Sequence, residues 1–138
     1  MRTYMKNARN VMDAALEKTV KIGAAEATVV TVGIDLGQPE GGKLENINVV
    51  VEVEALPSLV DAKTVIVTIE DSADNVTYAL LADAPTRTIT GAGGAGAAAT
   101  EFRFRPPLLT RQYIRAKAVT LAAAGDNTAK AMTMSVLV

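Results

Sequence analysis

From residue 28 onward, apolar and polar positions alternate with period two in short runs separated by glycine, proline and Asx clusters, the pattern of strands joined by turns. In "INVVVEVE" Ile47, Val49, Val51 and Val53 share one face, while Asn48, Glu52 and Glu54 share the other, which predicts a half-buried strand. "KTVIVTIE" sets Val65, Val67 and Ile69 against Thr64, Thr68 and Glu70, with Ile66 as the exception; its β-branched residues suit a pleated surface. In "TEFRFR" Phe102 and Phe104, the only phenylalanines of the chain, point inward as packing anchors, and Arg103 and Arg105 point outward. "RQYIRAKAV" repeats the arrangement, with Ile114, Ala116 and Ala118 inward against Arg111, Tyr113, Arg115 and Lys117. "KAMTMSVLV" places Met132, Met134, Val136 and Val138 on one face.

With "TVVTVGI", "VTYALL" and "TRTIT" these runs make about eight strands, separated by turns at "DLGQPEGG", "ALPSLVDA", "RPPLLT" and "AAAGDN". The expected fold is all-β: a jelly-roll-like antiparallel β-sandwich over residues 21–138, with a single closed barrel as the alternative. Residues 1–20 stand apart. Met5, Ala8, Met12, Ala15 and Leu16 recur at helical spacing, so this segment is either a short amphipathic helix or an extended N-terminal arm that orders on contact with a partner.

Composition narrows the chemistry. A chain of 138 residues fits one domain able to bury a core without staples. It contains neither cysteine nor histidine, which removes thiol nucleophiles, zinc ribbons, disulfide frameworks, the usual general base and the commonest metal ligand. A cupin-type metal centre on a jelly roll would need those histidines. Paired carboxylates such as Glu52 and Glu54, or Asp71 and Asp74, sit where strands and turns ordinarily carry charge. The reading is therefore of a non-enzyme without cofactor or metal. The segment "MRTYMKNARNVMDAALEKTVKI" has no apolar core of signal-peptide length, and no apolar run approaches about 18 residues. A protein made in the cytosol with no membrane partner is expected, so the "NVT" sequon at Asn75 has no bearing.

Two motifs invite sharper readings. "GAGGAGAAA" over residues 91–99 matches a dinucleotide-binding glycine pattern through Gly91, Gly93 and Gly96. That motif needs a helix directly after the glycines and an acid about 20 residues on. Here "TEFRFRPP" follows and "LLTRQYIRAKAVTL" has no carboxylate, so the stretch is expected to be a long mobile loop between strands. "DSADN" at 71–75 lacks the central glycine and terminal glutamate of an EF-hand and reads as a turn.

The net charge is −1, yet residues 35–83 are rich in Asp and Glu while residues 84–138 are rich in Arg and Lys. Either acidic and basic strands neighbour each other, forming modest cross-strand pairs, or the surface carries separate acidic and basic patches suited to joining copies or a charged shell. Arg103, Arg105, Arg111, Tyr113, Arg115 and Lys117 form the best positive cluster, but with few aromatics to stack bases no nucleic-acid partner is expected.

The order of strands supports a resemblance. An N-terminal segment leads to "VGIDLG", then "NVVVEVEAL", "DAKTVIVTIEDSADNVTYALL", "FRFRPPLLTRQYIRAKAVTL" and the closing "AMTMSVLV". Over residues 11–138 this resembles the small cement, or decoration, proteins of tailed bacteriophages. The resemblance implies a structural virion protein: a jelly-roll-like homodimer or homotrimer on the outer surface of an icosahedral head, clamping neighbouring major capsid subunits after the shell expands. It implies contact through the arm, with Arg2, Lys6 and Arg9, and through the outward side of an "FRFRPPLLTRQYIRAK" hairpin, with Arg103, Arg105, Arg111, Tyr113, Arg115 and Lys117. Another virion β-sandwich of the tail or fibre, or a sugar- or nucleic-acid-binding β domain, is the alternative.

Overall fold

The computed structural model describes residues 16–37 and 47–137. They form ten strands: β1 (Glu17–Lys21), β2 (Thr28–Val30), β3 (Ile34–Asp35), β4 (Asn48–Val53), β5 (Thr64–Ser72), β6 (Ala79–Leu80), β7 (Arg87–Thr90), β8 (Thr100–Phe104), β9 (Tyr113–Thr120) and β10 (Ala131–Leu137). A four-stranded sheet has the order β1-β10-β4-β8. A six-stranded sheet has the order β2-β9-β5-β6, with β3 also on β9 and β7 also on β5. Every ladder is antiparallel. The protein is an all-β, jelly-roll-like sandwich.

The core follows the alternation. Val49, Val51 and Val53 of β4 and Met132, Met134 and Val136 of β10 are buried, facing Val65, Val67 and Ile69 of β5 and Ile114, Ala116 and Ala118 of β9. Ala118 lies in register between Val29 and Val67, so a small side chain is flanked by branched ones on the inner surface. Phe102 is buried and stacks on Phe104, with ring centroids 6.4 Å apart. Ile66 points out beside Thr88 and Val119.

Four expectations are corrected. Ten strands replace eight, partly because "TVVTVGI" is broken in two. Buried Thr31 donates its N–H to the Ala116 carbonyl (2.9 Å) and accepts the Ala116 N–H on its hydroxyl (3.0 Å), so a side-chain oxygen stands in for a backbone one. The last residues of the expected arm, from Glu17, belong to β1, paired with β10; the rest of the arm lies outside the described residues. "VTYALL" contributes only Ala79 and Leu80 as strand. The "FRFRPPLLTRQYIRAK" hairpin does not exist: β8 pairs with β4 in one sheet and β9 with β5 in the other, so the connection crosses the sandwich.

The glycine-rich stretch is tethered rather than a mobile loop. Leu56 and Ala97 exchange both backbone hydrogen bonds (2.8 and 3.0 Å), Ala62 N–H donates to the Gly91 carbonyl (2.9 Å), and Gly94 N–H donates to Asp61 Oδ1 (2.9 Å). No helix follows Gly96; β8 begins at Thr100. Two of the glycines are required by close approach. A Cβ on Gly91 would strike the Leu59 and Val60 carbonyls, and one on Gly96, whose φ is +72°, would strike the Leu56 carbonyl and Pro57. Gly93 has φ +65° but open space around it. We expect Gly96→Ala to destabilise the fold by about 2–4 kcal/mol, combining a left-handed backbone with backbone collision. Gly93→Ala is expected to cost only about 1–2 kcal/mol. Urea melts of the two variants check the difference; equal losses would show that the loop is not packed as described.

Candidate interaction surface

Where β5 finishes and β9 starts, an acidic strand lies against a basic one. Glu70 is the register partner of Arg115 and Asp71 that of Ile114. Because successive side chains point to opposite faces, Glu70 and Arg115 lie on the outer face of the six-stranded sheet and Asp71 on the inner. Glu70 Oε1 accepts from Arg115 Nε (2.8 Å) and lies 2.7 Å from Nη2, while Oε2 lies 3.6 Å from Lys117 Nζ. The cluster thus carries two cations on one carboxylate.

The loop after β5 folds back over this pair. Asp74 Oδ1 accepts from the Ser72 hydroxyl (2.9 Å) and from the N–H groups of Val76 (2.9 Å) and Thr77 (3.0 Å). Ser72 Oγ accepts from the N–H groups of Asp74 and Asn75. These bonds close a turn after Ser72, as the Asx composition predicts, but Asp71 and Ser72 themselves end β5, so the turn starts later than the "DSADN" reading placed it. The N–H donated by Thr77, then that of Val76 and the Ser72 hydroxyl, hold the Asp74 carboxyl below its ordinary value of 3.8. The turn delivers Tyr78 onto the sheet, its ring 3.9 Å from the Arg115 guanidinium carbon, a cation–π contact. Its hydroxyl donates to Asn75 Oδ1 and comes against Gly33, where a Cβ would collide with it. Partial burial raises the phenol pKa above 10, with Arg115 opposing the shift.

Arg111 is tied at the same end. Its N–H donates to Asp71 Oδ2, and its Nη2 donates to both Asp71 Oδ1 and the Asp71 carbonyl, each at 2.9 Å. The Asp71 side chain is 6% exposed, so this pair anchors the incoming connection. That connection turns at Pro107–Thr110, where Thr110 donates its N–H (3.0 Å) and hydroxyl (2.7 Å) to the Pro107 carbonyl. Leu108 and Leu109 are thereby presented at 72% and 68% exposure. Val32 (68%), Val76 (80%) and Leu80 (60%) stand exposed around the Tyr78 turn. These exposed aliphatic side chains all stand on the segments that border this end of the six-stranded sheet.

The positions read from the sequence therefore separate. Arg111, Tyr113, Arg115 and Lys117 gather on β9 and its entry, the last three on the outer face of the six-stranded sheet. Arg103 lies on the outer face of the opposite sheet, bonded to Glu101 Oε2 (3.2 Å) with both side chains exposed, and Arg105 is exposed just past β8. Arg2, Lys6 and Arg9 lie outside the described residues. Sequence reading missed Tyr78 and the exposed aliphatic group; the Asx-rich turn ahead of Tyr78 was the available signal.

The first charge layout occurs in the six-stranded sheet, and of the second only an acidic side is seen. β5 and β9 neutralise each other, as neighbouring strands would. On the other sheet Glu17, Glu52, Glu54 and Glu101 line an open depression of about 710 Å³.

No family model matches the chain, and no curated protein matches it. Among solved structures it is similar to the PBSX exported protein XepA, at 16% identity and a TM-score of 0.53, over 94% of this chain and 37% of that one. The chain thus spans just over a third of that protein. It also matches a carbohydrate-binding module, CBM32-3, from a family 31 glycoside hydrolase of Clostridium perfringens (19% identity, TM-score 0.41, 98% of this chain and 83% of that one). A third match is to the infectious bursal disease virus Gt strain structure (12% identity, TM-score 0.41, 87% and 27%). At 16% identity the likeness to XepA is one of fold alone, and the class of the chain, a β-sandwich, is set by its own two sheets.

Two predictions follow from this end of the sheet. Arg111→Ala leaves a buried carboxylate without its guanidinium and is expected to cost about 3 kcal/mol, whereas Arg103→Ala, removing an exposed pair, should cost less than about 1 kcal/mol; denaturant melts compare them. A depressed Asp74 pKa means that the turn's contribution to stability is present above 3.8 and is lost as pH falls through the lower folded value. Amide shifts of Val76 and Thr77 should titrate with a midpoint below 3.8, and Asp74→Asn should abolish that titration.

Proposed function

We propose that this chain is a structural virion protein, a cement or decoration protein that sits on the outer surface of a phage head and clamps neighbouring major capsid subunits. The observation that carries the reading is the exposed aliphatic group Val32, Val76, Leu80, Leu108 and Leu109. It stands beside the Tyr78–Arg115–Lys117 ledge at one end of a rigid sandwich. Tyrosine and arginine are side chains that binding hot spots favour, and the exposed aliphatics beside them add apolar area that a partner can bury. The likeness of fold to XepA, spanning nearly the whole chain, and the sequence resemblance to cement proteins support the same reading.

A clamp of this kind works by burying area across a junction between subunits. A ligand that binds only the assembled shell stabilises it by about 4 kcal/mol per site at roughly a thousand times Kd, and many sites act together.

The test is co-sedimentation of the purified protein with expanded empty heads, followed by thermal disruption. The wild type should sediment with the heads and raise their disruption temperature. Leu108→Asp/Leu109→Asp, which alters only an exposed tip, should weaken binding by at least about tenfold. Absence of binding to heads overturns the proposal, and a copy number far below that of the major capsid protein in purified particles would assign the chain to the tail or fibre.

A further inference from the structure

The four-stranded sheet ends on β8, and among the described residues nothing pairs with its outer edge: the β8 ladder runs to β4 alone. Such an edge is a template for another strand. We infer that the occupant is β8 of a second copy, joined antiparallel about a two-fold axis through Phe102, so that two four-stranded sheets become one.

The register follows from symmetry and charge. A two-fold axis relating side-by-side antiparallel strands stands perpendicular to the sheet and keeps each face on its own side. Each residue then meets one on the same face, so the partnered numbers must sum to an even value. Centring on Phe102 sets Glu101 opposite Arg103 of the other copy and Arg103 opposite Glu101, with Phe102 opposite itself and Thr100 opposite Phe104. Sliding by one residue either way sets Glu101 against Glu101 or Arg103 against Arg103, which is repulsive. One register alone pairs the whole strand with matched charges.

The isolated chain shows the need that this pairing meets. Glu101 is in register with Glu52 of β4, like charges on adjacent strands, and its cation is Arg103 on the same strand. The second copy supplies a guanidinium on the open side of Glu101. At the other end of the sheet β1 also alternates Glu17, Thr19 and Lys21, but the equivalent centring on Thr19 would oppose Lys18 to Val20 on the core side. β8 instead sets Phe102 opposite Phe102 of the other copy on the core side, each ring already stacked on Phe104 of its own strand at 6.4 Å, and an aromatic cross-strand pair strengthens a sheet.

Two five-residue edges make a small interface, so the dimer is expected to be concentration-dependent. It is also expected to weaken as salt screens its exposed charges. Sedimentation equilibrium across a concentration series at low salt tests this on the full chain. Glu101→Arg alone and Arg103→Glu alone each place like charges opposite one another and should raise the dimer Kd by about tenfold or more. Glu101→Arg combined with Arg103→Glu re-forms the complementary register and should return the Kd to within about threefold of wild type. Thermal melts of all variants confirm folding, since both side chains are exposed. A monomer at every concentration, a trimer or open filament, single reversals that dimerise like wild type, or a double swap that fails to restore the dimer would each overturn the inference. The capsid reading is separate: a protein that dimerises in this way but ignores phage heads would sink that proposal and leave this one standing.

Discussion

The pairing of β5 with β9 is the constraint on which the remaining architecture depends. Eight residue pairs, from Val65 with Thr120 to Ser72 with Tyr113, lock the two longest strands side by side. Their inner faces supply one half of the core, and β2, β3, β6 and β7 are added to their flanks. Slippage of β9 by one residue would turn Ile114, Ala116 and Ala118 outward and Arg115 and Lys117 inward, so burial itself enforces the register. The same register brings Glu70 to Arg115, which lets oppositely charged strands lie together at the centre of a sheet.

That ladder also connects stability to the surface. Asp71, the residue after Glu70, points inward and takes three hydrogen bonds from Arg111, which fixes where the chain arrives from β8. Because that connection crosses from one sheet to the other, its turn is displayed at the end of the sandwich, with Leu108 and Leu109 at the tip. On the outer side, the turn closed by Ser72 and Asp74 sets Tyr78 over Arg115. Rigid central strands therefore position irregular, exposed segments, the usual division of labour between a β scaffold and its binding surface.

The glycines of residues 91–99 show how one local pattern can serve different physics. In a nucleotide-binding turn, glycine lets a backbone approach a pyrophosphate. Here Gly91 and Gly96 let it approach another stretch of the same chain, the carbonyls of Leu56, Leu59 and Val60. The spacing is shared, while the partner differs.

Much of the sandwich was legible from alternation alone. The inward faces of β4, β5, β8, β9 and β10 follow from the period of two, because a pleated strand can bury only every second side chain. The turn read at Asp71–Asn75 was legible in part: Asp74 and Asn75 lie in it because such side chains close turns locally, whereas Asp71 and Ser72 are drawn into the end of β5 by pairing with β9. What the linear pattern could not contain was which strands lie side by side. "FRFRPPLLTRQYIRAK" reads as a hairpin since two alternating runs flank a proline turn, and only the demand that both sheets cover one core sends its halves to opposite layers. That decision separates Arg103 from Arg115, pairs Glu70 with a cation 45 residues away, places exposed aliphatics on the segments at one end and leaves β8 at the edge of its sheet among the described residues. Local composition sets the period and the turns; the pairing of distant strands is a property of the shared core, and the surface it exposes belongs to the tertiary structure.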